Sequence, residues 1–243
     1  MNIMVESIQL HLNSEDCIKQ YSGTAYIEFA LPFFSVASTS TIYASVVHAN
    51  IPYSFYNINS TNNCLCYILG LSTTINRVYI PLGNYTSTTL LTQLISILPT
   101  SFTITYNVTT NTFTFTNLST FSFQYDKIIS FSTCLGLLGF TNTTQTASLN
   151  VTTYTLTSNT LVNLAPVRCI CIYTTLHTGS LTSLAPLNQN ILCSIPISTS
   201  PFTMISYHNT NSYKANLNTN VFNNITIKLT DQLGNILNLN NVH

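Results

Sequence analysis

Residues 102–117 read FTITYNVTTNTFTFTN, and this stretch decides the fold class. Phe, Ile and Tyr alternate with Thr on both sides of Thr109-Thr110-Asn111, and a period of two residues is that of a strand with one buried face. These are also residue types that strands favour. A short polar segment between two such runs predicts an antiparallel hairpin.

The same alternation recurs along the whole chain. Further strands are predicted near 5–12, 24–29, 42–49, 51–53, 78–81, 152–157, 167–175, 191–197, 202–207 and 225–229. Pro52 requires an edge-like or strand-ending position, because proline cannot donate a backbone hydrogen bond. Gly234, in the turn at 231–235, is expected to adopt positive φ.

One helix is predicted, at 88–98. Its apolar stripe is formed by Leu90, Leu91, Leu94, Ile95 and Leu98. Thr86 and Ser87 are candidate N-caps, and Pro99 ends the helix. Because its polar face has no Lys or Arg, we expect the helix to cover a sheet or an open end of a sandwich rather than a membrane. A second short helical turn is expected at 133–138, ended by Gly139.

Short strands with frequent turns and one or two short helices predict an all-β protein, a single jelly-roll β-sandwich. A chain of 243 residues is long enough to bury roughly 70% of its unfolded surface. No linker or charge run divides it. We therefore expect a single jelly-roll domain over 1–243, with a helix-hairpin elaboration inserted at about 84–145.

Charge is scarce in this chain. Six Lys and Arg face six Asp and Glu, so the net charge is zero and charged residues make up 5%, against about a quarter in a typical domain. The basic residues are scattered singly, which argues against specific nucleic-acid binding. A net charge near zero promotes association. We expect a surface that is mostly hidden in an assembly.

The N-terminal residues do not have the pattern of a signal peptide. They lack a basic n-region, and Glu6, Glu15 and Asp16 lie where an apolar core is needed. We therefore expect the protein to remain in the compartment where it is made. Apolar runs are shorter than the roughly 20 residues of a spanning helix, so no membrane insertion is expected.

Two cysteine pairs, Cys64 with Cys66 and Cys169 with Cys171, resemble metal-binding pairs at first sight. On a strand, however, residues i and i+2 share a face, and cysteine is often buried, so both pairs are interpreted as core residues. No histidines follow at zinc-site spacing. The expectation is that the chain has no metal site.

Catalytic patterns are also missing from the sequence. The six carboxylates show no spacing typical of a catalytic dyad, and no G-x-S-x-G, P-loop or G-x-G-x-x-G occurs. A reactive pair such as Cys134 with His177 is left open as an alternative. We expect no enzymatic activity, no catalytic residues and no cofactor.

Several motifs, in order along the chain, carry a resemblance. They are VHANIPYSFYNIN at 47–59 followed by Asn62-Asn63, IPLGNYT at 80–86, LGF at 138–140, and ITIKLTD at 225–231 with Gly234-Asn235 and Leu237 after it. Together they resemble capsid proteins of polintons, virophages and related double-stranded DNA viruses of the double-jelly-roll lineage. The match extends over nearly all of the chain.

The resemblance implies a structural capsid protein. In that group the major capsid protein is a double jelly roll of about twice this length, whereas the penton, the five-fold vertex subunit, is a single jelly roll. It therefore implies a homopentamer that contacts the major capsid protein in an icosahedral virion, made inside the host cell. It also leads us to expect a few residues beyond Asn241-Val242-His243, completing a final strand.

Two alternatives are open at this stage. A minor or cement capsid protein between capsomers fits the sequence almost as well as a penton does. A fibre or spike module that binds a receptor would share the Thr- and Asn-rich β composition, although no fixed repeat is found along the chain.

Overall fold

The structure is a computed structural model that describes residues 7–21, 25–36, 41–126, 130–175, 190–217 and 220–243. Within these ranges the chain forms many short strands and one α-helix. The all-β prediction is confirmed.

The elements follow one another along the chain as β1 (Lys19–Gln20), β2 (Tyr26–Ser35), β3 (Ile42–Ala44), β4 (His48–Pro52), β5 (Cys64–Leu69), β6 (Asn76–Tyr79), α1 (Ser87–Ile97), β7 (Thr103–Asn107), β8 (Thr112–Asn117), β9 (Phe121–Phe123), β10 (Tyr125–Asp126), β11 (Ser130–Phe131), β12 (Gln145–Thr146), β13 (Ser148–Asn150), β14 (Thr153–Thr157), β15 (Cys169–Thr174), β16 (Ile191–Pro196), β17 (Met204–His208), β18 (Ala215–Leu217) and β19 (Val221–Thr230). A 3-10 turn, Ser14–Asp16, precedes β1.

The chain divides into two compact units. Unit 1 comprises Met1–Phe55 and Val167–His243, and unit 2 comprises Tyr56–Pro166. The helix, the hairpin and the second turn of the elaboration predicted at about 84–145 all lie in unit 2, which extends further in both directions. A single domain over 1–243 stays a prediction.

In unit 1 the two ends of the chain pair as one folded ribbon. Strand β2 pairs with β19, β3 with β18, β4 with β17, and β15 with β16, all antiparallel. In chain order, the first four of these strands (β2, β3, β4 and β15) therefore pair with the last four taken in reverse order (β19, β18, β17 and β16). Strand β19 also pairs with β15, which gives the sheet order β1-β2-β19-β15-β16. Nested pairing of this kind is that of a jelly roll, which confirms the predicted architecture.

The core of unit 1 lies between the five-stranded sheet and the two-stranded pairs. One buried cluster joins Ile51 and Ile205, from β4 and β17, to Ile170 of β15. A second joins Leu217 of β18 to Phe29 of β2. Period-two alternation places these side chains inward, and each fully buried aliphatic or aromatic side chain stabilises the fold by roughly 1.5–3 kcal/mol.

Unit 2 contains two four-stranded antiparallel sheets, ordered β12-β9-β5-β6 and β13-β14-β8-β7. Its core is rich in aromatic rings, among them Phe113, Phe115, Phe121 and Phe123. The rings of Phe115 and Phe123 meet edge to face with centroids 4.9 Å apart, an arrangement that adds to the energy of burial alone.

The hairpin predicted at 102–117 is formed by β7 and β8, with Asn107 opposite Thr112. The Asn107 side-chain oxygen accepts hydrogen bonds from the backbone N–H groups of Thr109 and Thr110, and Asn111 adopts φ 50°. Asparagine suits both tasks, because its short side chain bonds nearby backbone and it tolerates positive φ. The predicted turn chemistry is therefore correct.

Helix α1 also matches its prediction. Thr86 is the N-cap and forms a capping box with Thr89, which satisfies two backbone N–H groups that the first turn leaves open. Leu90, Leu94 and Leu98 are buried in the core of unit 2. Three of the five residues of the predicted stripe are therefore covered, whereas Leu91 is half-buried and Ile95 is exposed.

The second predicted turn is held by backbone bonds from Leu138 N to Cys134 O and from Phe140 N to Leu135 O. Gly139 has φ 80°, and a Cβ at this residue would lie 2.4 Å from the carbonyl oxygen of Thr160. Only glycine fits this close approach.

Asn57 connects the beginning of unit 2 to its end. Its side-chain nitrogen donates to the carbonyls of Tyr85 (2.8 Å) and Leu164 (3.0 Å), and its oxygen accepts from the N–H of Tyr85 (2.9 Å). The backbone N–H of Asn57 donates to the Asn84 side chain. Asn57 is buried, so losing these bonds would leave polar atoms without partners. Two of the motif stretches quoted above, 47–59 and 80–86, meet at this residue.

Two strand predictions depart most clearly from the structure. Of the strand predicted at 5–12, residues 7–12 adopt neither strand nor helix. Alternation marks a segment that can pair, but a strand also needs a partner edge. The run 42–49 is interrupted at residues 45–47, so it forms β3 and β4 as separate strands. Pro52 ends β4 and Gly234 has φ 86°, both as predicted.

Replacing Leu94 by Asp tests the placement of the helix. Leu94 has no exposed surface, so the variant buries an unpaired carboxylate and should lose roughly 4 kcal/mol or more of unfolding free energy. The neighbouring Ile95 is 54% exposed and provides a matched control. Ile95→Asp should change stability by less than about 1 kcal/mol. Denaturant titration of both variants makes the comparison, and equal stability would contradict the placement.

Candidate assembly surface

Two of the described carboxylates, those of Glu28 and Asp231, are engaged in local hydrogen bonds. The Glu28 carboxylate accepts hydrogen bonds from the Tyr21 hydroxyl and the Asn224 side chain, across three neighbouring segments of the sheet. Asp231 accepts from the backbone N–H groups of Leu233 and Asn235 and so closes the turn after β19. Glu15 and Asp16 lie in an exposed 3-10 turn. None of these carboxylates is arranged as a catalytic pair.

The cysteine pairs occupy the strand faces that point away from the main cores. Strand β5 turns Leu65 and Tyr67 into the core of unit 2, so Cys64 and Cys66 share its other face, with their sulfurs 3.6 Å apart. Cys66 is buried, and Cys64 is half-buried. Cys169 and Cys171 repeat this arrangement on β15. Cys66 and Cys171 are therefore buried, as expected of core residues, but they do not belong to the main core clusters. Cys64 and Cys169 are only half-buried.

A raised pKa makes the thiols of Cys64, Cys171 and Cys134 poor nucleophiles. Burial, together with the neighbouring Cys66 thiol, raises the pKa of Cys64 to about 11. Burial and the nearby Cys169 raise the pKa of Cys171 to about 11, and burial raises that of Cys134 further still. A reactive cysteine needs the opposite shift. Of the alternative pair Cys134 with His177, His177 lies outside the described residues.

Within the described ranges, no three His, Cys, Asp or Glu side chains are grouped so that they could hold a metal ion. Among the same residues, no helix combines the length and apolar character that crossing a bilayer requires.

The N-terminal segment 7–12 presents apolar side chains to solvent. Ile8, Leu10 and Leu12 alternate with Ser7, Gln9 and His11, and all six residues are exposed. Such a segment has the sequence of a strand and open backbone groups, so it is suited to pairing with the sheet edge of another chain. We call residues 7–12 the N-terminal arm.

A second exposed apolar group lies at one end of unit 2. Leu71, Leu118 and Val151 are 99%, 77% and 90% exposed. The N–H of Gly70 donates to the carbonyl of Thr120, which joins the loops that carry Leu71 and Leu118. Tyr154 pairs with Asn117, which brings the β13–β14 turn, and with it Val151, to the same end. We call these three side chains the apolar loop end.

Val151 holds its position at a conformational cost. It is the first residue of the two-residue turn between β13 and β14 and has φ 56°. That backbone region is strained for a β-branched residue and is usually occupied by glycine or asparagine in such turns. An exposed and strained valine is a poor choice for stability alone, which favours a contact role for the apolar loop end.

No protein-family model matches the chain, and no curated protein matches its sequence. Among solved structures, the crystal structure of selenomethionine-labelled mavirus penton protein is similar, with 12% identity and a TM-score of 0.41, over 84% of this chain and 83% of that chain. A likeness at this identity and score carries no weight for function. The function of this chain is therefore argued from its own strand pairing and surface.

Alkylation should distinguish the shielded thiols from ordinary ones. With a pKa of about 11, Cys64 and Cys171 have roughly one thiolate in a thousand at pH 8. Their reaction with iodoacetamide should be more than about 50-fold slower in the native than in the denatured protein, because an unperturbed thiol has a pKa of about 8.5. It should also rise about tenfold per pH unit between pH 8 and 10. Mass spectrometry of the labelled peptides measures both, and fast native labelling of Cys64 would indicate an activated thiol.

Two matched variants test which surface would mediate the self-association that the composition leads us to expect. One replaces Ile8, Leu10 and Leu12 by Ser in the N-terminal arm, and the other combines Leu71→Ser, Leu118→Ser and Val151→Asn in the apolar loop end. Neither set is buried, so both variants should melt within a few degrees of the parent.

We expect the arm variant to weaken self-association at least tenfold and the loop-end variant to leave it unchanged. Sedimentation equilibrium over a concentration series measures both. Loss of assembly in the loop-end variant alone would assign the contact to unit 2 instead.

Proposed function

We propose that the chain is a structural, non-enzymatic subunit of an icosahedral capsid of a double-stranded DNA virus, and that it is the penton at the five-fold vertex. The observation that carries this proposal is the nested pairing of unit 1, from β2 with β19 inward to β15 with β16. Jelly rolls are the architecture of many viral capsid proteins. The ordered motifs at 47–59, 80–86, 138–140 and 225–231 support the same assignment.

A fold alone does not define a function, since lectins and cupins also use jelly rolls. The surface chemistry supports an assembly role. The described residues Glu28 and Asp231 use their carboxylates for local hydrogen bonds, while the N-terminal arm and the apolar loop end expose six aliphatic side chains. Contacts made through such groups do not require ions to lose their hydration.

Five copies around an axis would use one ring-closing interface repeated five times. The N-terminal arm is suited to that contact, because pairing with a neighbour's sheet edge satisfies its backbone as well as its apolar row. Other faces are then available for the major capsid protein. The site of action is the virion, after synthesis in the host cell and without membrane insertion.

A receptor-binding module is the second candidate. It is favoured by the apolar loop end, because loops presented together at one end of a sandwich are where β proteins commonly bind partners.

Electron microscopy of the purified full chain separates these roles. The proposal predicts five-membered rings. Trimers would support a fibre or spike module, and monomers that bind only to assembled capsomers would support a cement protein.

The response of the assembly to salt forms a further prediction. With six basic and six acidic residues in the whole chain, there is little charge for salt to screen. Oligomers should therefore persist from 0.1 to 1 M NaCl, over which the Debye length falls from about 10 to 3 Å, and sulfate should strengthen them. Analytical ultracentrifugation across the series measures this. Dissociation to monomers by 1 M NaCl would show that a few ion pairs dominate the interface.

A further inference from the structure

Two histidines that are far apart in the sequence face each other in unit 1. His48 is the first residue of β4, His208 is the last residue of β17, and the register places them directly opposite. Their ring centroids are 4.6 Å apart, with the planes inclined by 46°.

The hydrogen-bond pattern fixes which kind of pair this is. The N–H of Asn209 donates to the carbonyl of Val47, and these residues are the next pair along the ladder. Hydrogen-bonded and non-hydrogen-bonded pairs alternate in an antiparallel ladder, so His48 and His208 form a non-hydrogen-bonded pair. Side chains approach each other most closely at such pairs.

The ribbon that carries the two rings is anchored on its other face. Ile51 and Ile205 pair directly and are buried in the core of unit 1, and Ala49 and Tyr207 pack against the same cluster. The outward residues next to the histidines, Asn50 and Ser206, are joined by a side-chain hydrogen bond of 2.9 Å. The two imidazoles are therefore held side by side on a supported pair of strands, and both are exposed.

We propose that His48 and His208 form a chelating site for a divalent transition-metal ion. Imidazole is the commonest protein ligand for such ions. Metal–nitrogen bonds of about 2.0–2.1 Å place two adjacent ligand nitrogens about 3 Å apart. The two ring centroids are 4.6 Å apart, so the proposal requires only a rotation of the side chains and no movement of the strands. Because both residues are exposed, the remaining coordination positions are open to water.

The ion binds neutral imidazole, so protons compete with it. Binding also ties β4 to β17, and a ligand that binds only the folded ribbon raises its stability. The site departs from the expectation that the chain has no metal site. It is independent of the capsid proposal, because it requires one copy of unit 1 and no partner.

Nickel is the suitable probe. Imidazole binds Ni²⁺ well, whereas soft thiolates select Zn²⁺ and Cu⁺, and the chain has seven free cysteines. The experiment uses the full, untagged and reduced protein, because an oligohistidine tag would bind the same ion. Isothermal titration with Ni²⁺ at pH 7.5 and pH 5 is combined with NMR, in which paramagnetic Ni²⁺ broadens the signals of nearby side chains.

The matched variants are His48→Asn, His208→Asn and, as a control, His11→Asn in the N-terminal arm. We expect one Ni²⁺ per chain, selective broadening of the His48 and His208 signals, and weaker binding at pH 5. Each of the first two variants should bind more than about tenfold more weakly, because a single imidazole loses the advantage of chelation. His11→Asn should bind as the parent does.

Several outcomes would overturn the site. They are no binding at millimolar Ni²⁺, unchanged affinity in His48→Asn and His208→Asn, or an equal loss in His11→Asn. Melting each variant without metal shows whether the substitution disturbs the ribbon. A variant that melts like the parent but no longer gains stability from Ni²⁺ supports chelation, and one that keeps the gain contradicts it.

Discussion

The structure of unit 1 depends on nested antiparallel pairing between the two ends of the chain. Strands β4 and β15 are consecutive members of that ribbon, although the whole of unit 2 lies between them in sequence. The entropic cost of closing a loop grows only slowly with its length, and a folded insertion has less freedom to lose. Asn57, near the beginning of unit 2, holds the two ends of that unit together, because its side chain donates hydrogen bonds to the carbonyls of Tyr85 and of Leu164 near the end of the unit.

Hydrogen bonds from uncharged polar side chains join segments, close turns and cap the helix of this protein, tasks for which many proteins use charged side chains. Asparagine side chains join the segments where the chain enters and leaves unit 2. Besides the bonds of Asn57, the Asn63 side chain donates a hydrogen bond to the carbonyl of Ile80. The β7–β8 turn uses Asn107, and the cap of α1 uses Thr86 and Thr89. Amide and hydroxyl groups satisfy backbone donors and acceptors without the desolvation penalty of a charge. A fold built this way leaves a weakly charged exterior, which is compatible with close packing between copies.

The candidate contact surfaces were only partly accessible to sequence reasoning. The alternation of Ile8, Leu10 and Leu12 predicted a strand, and the structure instead leaves these side chains exposed. Pattern alone cannot reveal whether a pairing partner lies within the chain. Leu71, Leu118 and Val151 had no signal at all, because isolated aliphatic residues in loops resemble many others. Their common location follows from the pairing of β8 with β14 and from the hydrogen bond between Gly70 and Thr120.

Local structure could be predicted from the residues in order along the chain: the β class, the hairpin at 102–117, the capped helix with Leu90, Leu94 and Leu98 inward, and the turns at Gly139 and Gly234. Periodicity and turn chemistry act over a few residues, so they can be read in order along the chain. Which strands pair became known only from the folded chain. It placed His48 opposite His208, and it turned Cys64 and Cys66 away from the main core. Pairing between distant segments depends on the summed fit of whole strands, and no spacing rule along the chain encodes that sum.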